Sequence, residues 1–194
     1  MAAGKKNAKR LNASLVFLDE SGILMAPLLR RSWNPRSCTP ILRQRTRSHQ
    51  KVSAIAALCV DPHRVKVHLY FRLHPKKNIS SLEVIEFLRQ LRRHLRGALV
   101  LVWDRHMAHR SLRTKAFFNR IEKISPVLLP PYAPELNPVE NFWSYLKMNP
   151  MANLAIDDID VLADRTRNAS RKIQRDETLL RSFIAHTPLS LRVK

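Results

Sequence analysis

Three stretches in the first half of the chain have the apolar pattern of β-strands. Residues 14–19 (SLVFLD) and 51–60 (KVSAIAALCV) are almost continuously apolar, which is typical of strands buried on both faces. Residues 65–73 (VKVHLYFRL) alternate apolar and polar positions instead, and the turn-forming residues 61–64 (DPHR) precede them. The second and third stretches therefore predict a β-hairpin.

A helix is predicted after the hairpin. Ser80 and Glu83 have the spacing of a capping box, in which each side chain accepts a hydrogen bond from a backbone amide at the start of a helix. From residue 81 to about residue 96 the apolar residues recur at helical spacing. The predicted core-facing residues are Leu82, Ile85, Leu88, Leu91 and Leu95.

The remaining elements alternate between extended and helical segments. Strands are predicted at 98–103 and 126–129, and helices at 111–123, from residue 138, and over 157–175. This order indicates an α/β protein with a mixed sheet flanked by helices, in which 14–19 and 98–103 form the buried, parallel centre.

The length of 194 residues favours one domain with short appendages. Residues 1–13 contain lysine and arginine but no acidic residue, which predicts a basic arm or linker. Residues 14–150 hold all the predicted strands and form the predicted core. Residues 151–194 are predicted to be a helical extension packed on that core.

Positive charge points to a polyanionic partner. Lys and Arg number 35 against 15 Asp and Glu, a formal net charge of +20, which favours nucleic acid over an anionic membrane surface. The excess is spread over the whole chain, which argues against merely solvated surface runs. Two basic stretches are the acid-free, proline-containing segment 30–51, predicted as an extended ribbon or loop, and one face of the helix at 81–96. The candidate phosphate contacts are Arg30, Arg31, Arg36, Arg43, Arg45, Arg47, Lys51, Arg89, Arg92, Arg93 and Arg96.

Composition excludes several kinds of site. The three glycines lie far apart, which excludes a P-loop, a dinucleotide-binding fingerprint and a nucleophile elbow. The two cysteines are too few for a thiolate zinc site or a disulfide framework and fit a reducing cytoplasm. The longest uncharged apolar stretch, 52–60, is far shorter than the roughly 20 residues of a membrane-spanning helix. No apolar segment typical of a signal peptide follows the basic N-terminus.

Three acidic residues occupy positions that suit a metal site. Asp19 and Asp104 each end an apolar strand, and the carboxyl ends of neighbouring parallel strands meet at the sheet edge where α/β proteins bind ligands. Glu140, at the start of a predicted helix, adds a third carboxylate of the kind that Mg²⁺ prefers. Each residue also has an ordinary interpretation: the aspartates as turn or cap residues, and Glu140 as the partner of Asn137 in a capping box.

A second metal site is an open alternative. Asp104, His106 and His109 place two imidazoles within five residues of a carboxylate, a donor set that suits a transition metal and a hydrolase. The ordinary interpretation of the two histidines is a helix cap and a solvent-facing side chain.

Three segments resemble the catalytic domain of Asp–Asp–Glu transposases. They are FLDESG (17–22), VWDRHMAH (102–109) and LPPYAPELNPVENFWSYLK (129–147), of which the proline-rich third is the most specific. More narrowly, they are similar to the insertion-sequence-630 family, a bacterial branch of the mariner superfamily. The likeness extends over residues 14–185, and the 35 residues between Asp104 and Glu140 are close to the short second interval of that family.

The resemblance implies a ribonuclease-H-like fold, with Asp19, Asp104 and Glu140 as the catalytic metal ligands. Two Mg²⁺ or Mn²⁺ ions held there would support cutting of DNA at transposon ends and joining of the freed 3′-OH to target DNA. It also implies a homodimer on DNA in the cytoplasm, at the nucleoid. Tyr132, in the stiff proline-rich loop, is expected beside the scissile phosphate.

The sequence departs from the family pattern in two respects. The first catalytic acid stands at residue 19, so the helix-turn-helix domains that precede it in relatives are expected on an upstream-frame chain, or are missing from a truncated copy. Arg105 and His106 also replace the small or polar pair expected after the second aspartate. A catalytically idle remnant that only binds DNA is therefore the alternative interpretation.

Overall fold

The computed structural model describes residues 12–26, 28–39, 41, 50–121, 123–189, 191 and 193. The strands are β1 (Ser14–Leu24), β2 (Lys51–Val60), β3 (Val67–Pro75), β4 (Leu99–Trp103) and β5 (Ile124–Leu128). The helices are α1 (Ser81–His94), α2 (Met107–Arg110), α3 (Leu112–Arg120), α4 (Pro138–Met148), α5 (Ile159–Arg175) and α6 (Glu177–Ala185), with a 3₁₀ turn at Pro134–Leu136.

The five strands form one mixed sheet in the order β3-β2-β1-β4-β5. β1, β2 and β3 are antiparallel neighbours, whereas β4 runs parallel to both β1 and β5. The predicted hairpin and the predicted parallel pair of buried strands are both confirmed. β3 begins at Val67, two residues later than predicted, because the carboxylate of Asp61 accepts hydrogen bonds from the Val65 and Lys66 amides and keeps them in the turn.

Side-chain alternation along β1 divides the core into two layers. Leu15 and Phe17 belong to the layer covered by α4, α5 and α6, whereas Val16 and Leu18 belong to the layer covered by α1 and α3. The sheet therefore carries helices on both faces, as the element order predicts.

The predicted capping box begins α1. The Oγ of Ser80 accepts a hydrogen bond from the Leu82 amide at 3.2 Å, and the Glu83 carboxylate accepts one from the Ser80 amide at 2.9 Å. Both orphan amides at this helix end are thereby satisfied.

Two details of α1 differ from the prediction. The helix ends at His94 because Leu95 adopts an extended backbone, so Arg96 lies beyond the helix rather than on its face. Leu82 is 54% exposed, while Val84 and Phe87 are buried. The core-facing side of the helix is therefore rotated toward positions 84 and 87.

The remaining helices also differ in their bounds. The helix predicted at 111–123 is α3, which begins after the N-cap Ser111 and ends at Arg120, because Ile121 adopts an extended backbone. The short helix α2 before it was not predicted. The long helix predicted over 157–175 begins at Ile159, after the N-cap Asp158, and α6, which sequence analysis missed, begins after the N-cap Asp176. Both α5 and α6 pack on the same hydrophobic cluster as α4. The domain boundaries at residues 13 and 150 stay a prediction.

Within the described ranges, none of the helices combines the length and apolar character needed to cross a bilayer.

Candidate active site

Asp19 and Asp104 lie side by side at the carboxyl ends of the parallel strands. The register pairs Phe17 of β1 with Val102 of β4, and each aspartate follows two residues further along its chain, so both reach the same edge of the sheet. β1 continues beyond Asp19 to Leu24, paired there with β2. Both aspartates and Glu140 line one cavity of about 440 Å³, so the structure brings the three predicted acids together.

Glu140 reaches this cavity from the first turn of α4. Asn137 caps that helix through its side-chain oxygen, which accepts a hydrogen bond from the Val139 amide at 3.3 Å. The amide nitrogen of the same buried side chain donates to the carbonyl oxygen of Leu18 at 3.2 Å. One side chain therefore attaches the start of α4 to the residue that precedes Asp19.

The capping-box interpretation of Glu140 loses its support. In such a box the Glu140 carboxylate would accept a hydrogen bond from the Asn137 backbone amide. That amide donates instead to the carbonyl oxygen of Pro134 at 2.8 Å. The Glu140 carboxylate therefore does not cap the helix and lines the cavity instead.

Asp19 is a buried carboxylate among other carboxylates. It is 7% exposed, and burial, together with the charges of Glu140, Glu20 and Asp104, raises its pKa to about 8. The indole Nε1 of Trp143 donates to its Oδ2 at 3.0 Å, which acts in the opposite direction on the pKa. Sequence analysis assigned Trp143 to the core, where it is indeed buried, and missed this hydrogen bond. The available signal was its position three residues after Glu140, on the same side of the helix.

Asp104 has the opposite environment. Its Oδ1 accepts hydrogen bonds from the His106 amide at 2.9 Å and from Nδ1 of His109 at 2.8 Å. Partial burial by itself would raise the pKa of Asp104, but the contacts with the two histidines outweigh burial and lower it.

His109 bridges Asp104 to Glu20, a residue that sequence analysis did not single out. Its side chain is fully buried and stacks on Trp103, with 4.2 Å between ring centroids and 11° between ring planes. Its Nε2 lies 2.9 Å from Oε1 of Glu20. Burial by itself would lower the pKa of His109, but the two carboxylates raise it to about 10, so the ring is charged at neutral pH.

This geometry does not support a metal site made from Asp104, His106 and His109. The Nδ1 of His106 accepts a hydrogen bond from the Ala108 amide at 3.4 Å, which caps α2. Glu20, Asp104 and His109 do each place a ligand atom within 4.8 Å of the other two. However, the two nitrogens of the His109 ring already face the two carboxylates, so the ring acts as their cationic partner.

Lys147 is a basic residue close enough to Glu140 and Asp19 to interact with their charges. It is half-buried, and its Nζ donates to Oγ of Ser21 at 2.7 Å. Burial and Asp104 together raise the pKa of Glu140, although Lys147 opposes them.

The three acids that line the cavity, beside Arg105, are Asp19, Asp104 and Glu140. Their oxygen atoms are the donor set that hard divalent cations such as Mg²⁺ and Mn²⁺ prefer, so the residues present fit such an ion.

The proline-rich loop forms one wall of the cavity. Residues 129–134 line it, and Tyr132 is fully exposed with a left-handed φ of 56°. The expected position of Tyr132 next to the site agrees with the structure, while its contact with DNA stays a prediction.

The predicted phosphate contacts of segment 30–51 differ in their surroundings. Arg31 and Arg36 are exposed, whereas the guanidinium of Arg30 donates to the Met148 carbonyl oxygen at 2.9 Å, at the end of α4. Lys51 lines a second cavity of about 370 Å³ that Glu20 also borders. The residues outside the described part of the chain are Arg43, Arg45 and Arg47.

The predicted contacts of α1 also differ from one another. The guanidinium of Arg89 lies 5.8 Å from the ring centroid of Phe117, and Arg92 donates to the carbonyl oxygen of Leu95, just beyond the helix. Arg93 and Arg96 are exposed.

Comparison with known proteins identifies the family. Residues 14–163 match the family described as DDE superfamily endonuclease. The Mos1 transposase paired-end complex with left transposon end superposes with a TM-score of 0.65 at 16% identity, covering 94% of this chain and 55% of that one. The Mos1 mariner paired end complex with Mn superposes with a TM-score of 0.63 at 15% identity, covering 94% of this chain and 55% of that one. The catalytic domain of Mos1 mariner transposase superposes with a TM-score of 0.54 at 12% identity, covering 95% of this chain and 89% of that one.

The chain thus spans 55% of the length of the transposase in the paired-end complex and 89% of the isolated catalytic domain. No curated protein sequence gives a significant match. At these identities the structural likeness establishes the fold, and the ribonuclease-H-like architecture expected from the resemblance is confirmed. Because the family match extends over most of the sequence, the chain belongs to the DDE superfamily endonucleases.

Proposed function

We propose that this chain is the catalytic part of a DDE transposase of the insertion-sequence-630 type, which cuts DNA at transposon ends and joins the freed 3′-OH to target DNA. The convergence of Asp19, Asp104 and Glu140 in one cavity carries this proposal. Mos1 structures with a transposon end and with Mn share the fold, which supports the use of a divalent metal ion at this site.

In each aspartate, one carboxylate oxygen accepts a hydrogen bond from a neighbouring side chain and the other is available to bind a metal ion. Trp143 holds Oδ2 of Asp19 and His109 holds Oδ1 of Asp104, so one oxygen of each carboxylate is left for a metal. Glu140 supplies the third ligand from α4. Two divalent ions bound there would activate the attacking oxygen and stabilise the leaving oxygen of a phosphodiester.

DNA is the proposed partner, and the basic surface is the proposed route to it. Contacts with phosphate at Arg31, Arg36, Lys51, Arg93 and Arg96 fit their exposure, and Tyr132 would lie beside the scissile phosphate. A homodimer on DNA, a helix-turn-helix chain from an upstream frame and a place at the nucleoid in the cytoplasm complete the proposal.

Salt dependence tests the DNA contacts. If roughly 6–10 phosphates are neutralised, DNA affinity should fall about 10³–10⁵-fold between 50 and 200 mM salt. Fluorescence anisotropy with a labelled duplex measures this slope. A flat salt dependence would refute the proposed basic interface.

Nicking of supercoiled plasmid in the presence of Mn²⁺ or Mg²⁺ tests the catalytic assignment. We expect metal-dependent nicking by the wild-type chain and a loss of about 10³-fold or more in Glu140→Gln, because the substitution removes a metal ligand. Glu135→Gln is the matched control, since this exposed glutamate lies in the preceding 3₁₀ turn and outside the cavity lining. Equal nicking by wild type and Glu140→Gln would refute the assignment. Salt-sensitive DNA binding without nicking would support the binding-only alternative.

A further inference from the structure

We propose that His109 is a positioning residue that keeps Glu20 out of the metal site. Of the two carboxylates that His109 bridges, only Asp104 would then bind the metal. The inference rests on the proposed function, because it concerns the same metal site.

The carboxylate of Glu20 lies next to the metal site, on the other face of β1 from Asp19. Asp19 and Glu20 are consecutive in β1, so their side chains leave the sheet on opposite faces. Glu20 is held on the face of α2, with only 16% of its side chain exposed. The Coulombic effect of Glu20 on Asp19 shows that its charge is felt at the cavity.

The imidazole of His109 occupies the space between Glu20 and Asp104. Its two nitrogens lie 2.9 Å and 2.8 Å from one oxygen of each carboxylate. The stack on Trp103 fixes the ring plane, and Phe118 packs edge-on against Trp103 with 5.4 Å between centroids. The ring is therefore a rigid spacer with one nitrogen within hydrogen-bond distance of each carboxylate.

Without the ring, the same space suits a divalent ion. The oxygens of Glu20 and Asp104 that face His109 lie within 4.8 Å of each other. Two ligand oxygens on opposite sides of a Mg²⁺ ion are about 4.1 Å apart, since each Mg–O distance is about 2.0–2.1 Å. An ion placed there would draw Asp104 away from Asp19 and Glu140. His109 thus fills a position that metal would otherwise take.

Mn²⁺ binding to the purified full chain, followed by the paramagnetic resonance signal of free Mn²⁺, tests this role in a double-mutant cycle. We expect Glu20→Gln in the wild-type background to change the Mn²⁺ affinity by less than about 3-fold. His109→Asn should bind Mn²⁺ about 10-fold more tightly, because Glu20 becomes a ligand. Glu20→Gln added to His109→Asn should remove that gain.

Nicking should move in the opposite direction from affinity. We expect His109→Asn to nick plasmid about 100-fold more slowly despite its tighter metal binding, and the double variant to regain about 10-fold. His94→Asn is the matched control, because this exposed histidine lies at the end of α1 and outside the cavity lining. His109→Gln is made alongside, and thermal melts select the variant that remains folded.

The outcomes separate the two proposals. The role of His109 would be overturned, but not the proposed function, if Glu20→Gln changed the Mn²⁺ affinity equally in both backgrounds. The same conclusion would follow if His109→Asn bound Mn²⁺ more weakly and Glu20→Gln left that affinity unchanged. A wild-type chain without affinity for Mn²⁺ would overturn the proposed function and this inference together.

Discussion

Asp19 and Asp104 occupy equivalent places at the ends of two parallel strands, yet their surroundings differ. Asp19 is buried beneath α4 with an indole N–H as its hydrogen-bond donor, and its pKa is raised to about 8. Asp104 is half-exposed, contacts a charged imidazole, and has a lowered pKa. The two residues are both predicted metal ligands, yet in the metal-free protein the raised pKa favours the protonated form of Asp19 and the lowered pKa favours the ionised form of Asp104.

The difference means that the two aspartates would contribute differently to metal binding. A charged partner makes Asp104 a ready ligand at neutral pH, because its negative charge is already stabilised. Asp19 forms no ion pair among the described residues, although Lys147 is close enough to interact with it, so a divalent ion is a natural counter-charge for it. Because the raised pKa keeps Asp19 protonated below pH 8, a divalent ion that binds there has to displace that proton.

The largest expected effect of this contrast is on the pH dependence of metal binding. Mn²⁺ must displace the proton of Asp19 below pH 8, so affinity should fall by up to about 10-fold for each pH unit, or about 50-fold from pH 8 to pH 6. Titration calorimetry with Mn²⁺ measures this slope. Asp19→Asn should bind more weakly but with a flat profile over this range. A flat wild-type profile would show that Asp19 is already ionised.

The next effect is on the stability of the metal-free protein. The folded-state pKa of Asp19 exceeds its unfolded value of 3.8, so the native state binds the proton more tightly and loses stability as pH rises from 3.8 through 8. At pH 8 we expect Asp19→Asn to raise stability by about 2 kcal/mol, or roughly 4–8 °C in Tm, because it removes an unpaired buried charge. Calorimetry with a chelator present measures the change.

Asp104→Asn is the matched variant for this comparison. It removes a carboxylate that is paired with His109, so it should lower Tm rather than raise it. Shifts of the same sign in the two variants would contradict the contrast between the aspartates.

The smallest expected effect concerns the indole that holds Asp19. Trp143→Phe keeps the ring packed but removes the N–H, and Mn²⁺ affinity should fall about 10-fold. Trp33→Phe is the control, because this fully exposed tryptophan lies outside the cavity lining, and a change of less than about 3-fold in Mn²⁺ affinity is expected. Equal losses in both variants would mean that the hydrogen bond to Asp19 does not position it.

Local patterns predicted the framework of the site well. The apolar runs located β1 and β4, the capping box located the start of α1, and the helix at residue 138 was placed correctly. The contacts that complete the site were missed because they join distant parts of the chain. His109 and Glu20 are separated by 89 positions, and Trp143 and Asp19 by 124.

The sequence by itself determined which acids share a face, because a strand turns successive side chains to opposite sides and a parallel register aligns strand ends. It also determined the basic character of the chain and the motif that resembles the transposases. Only the tertiary structure decided which donor each carboxylate receives. Burial beneath α4 raises the pKa of Asp19, and the ring of His109 lowers that of Asp104, because desolvation and hydrogen bonding depend on distances in space rather than on positions along the chain.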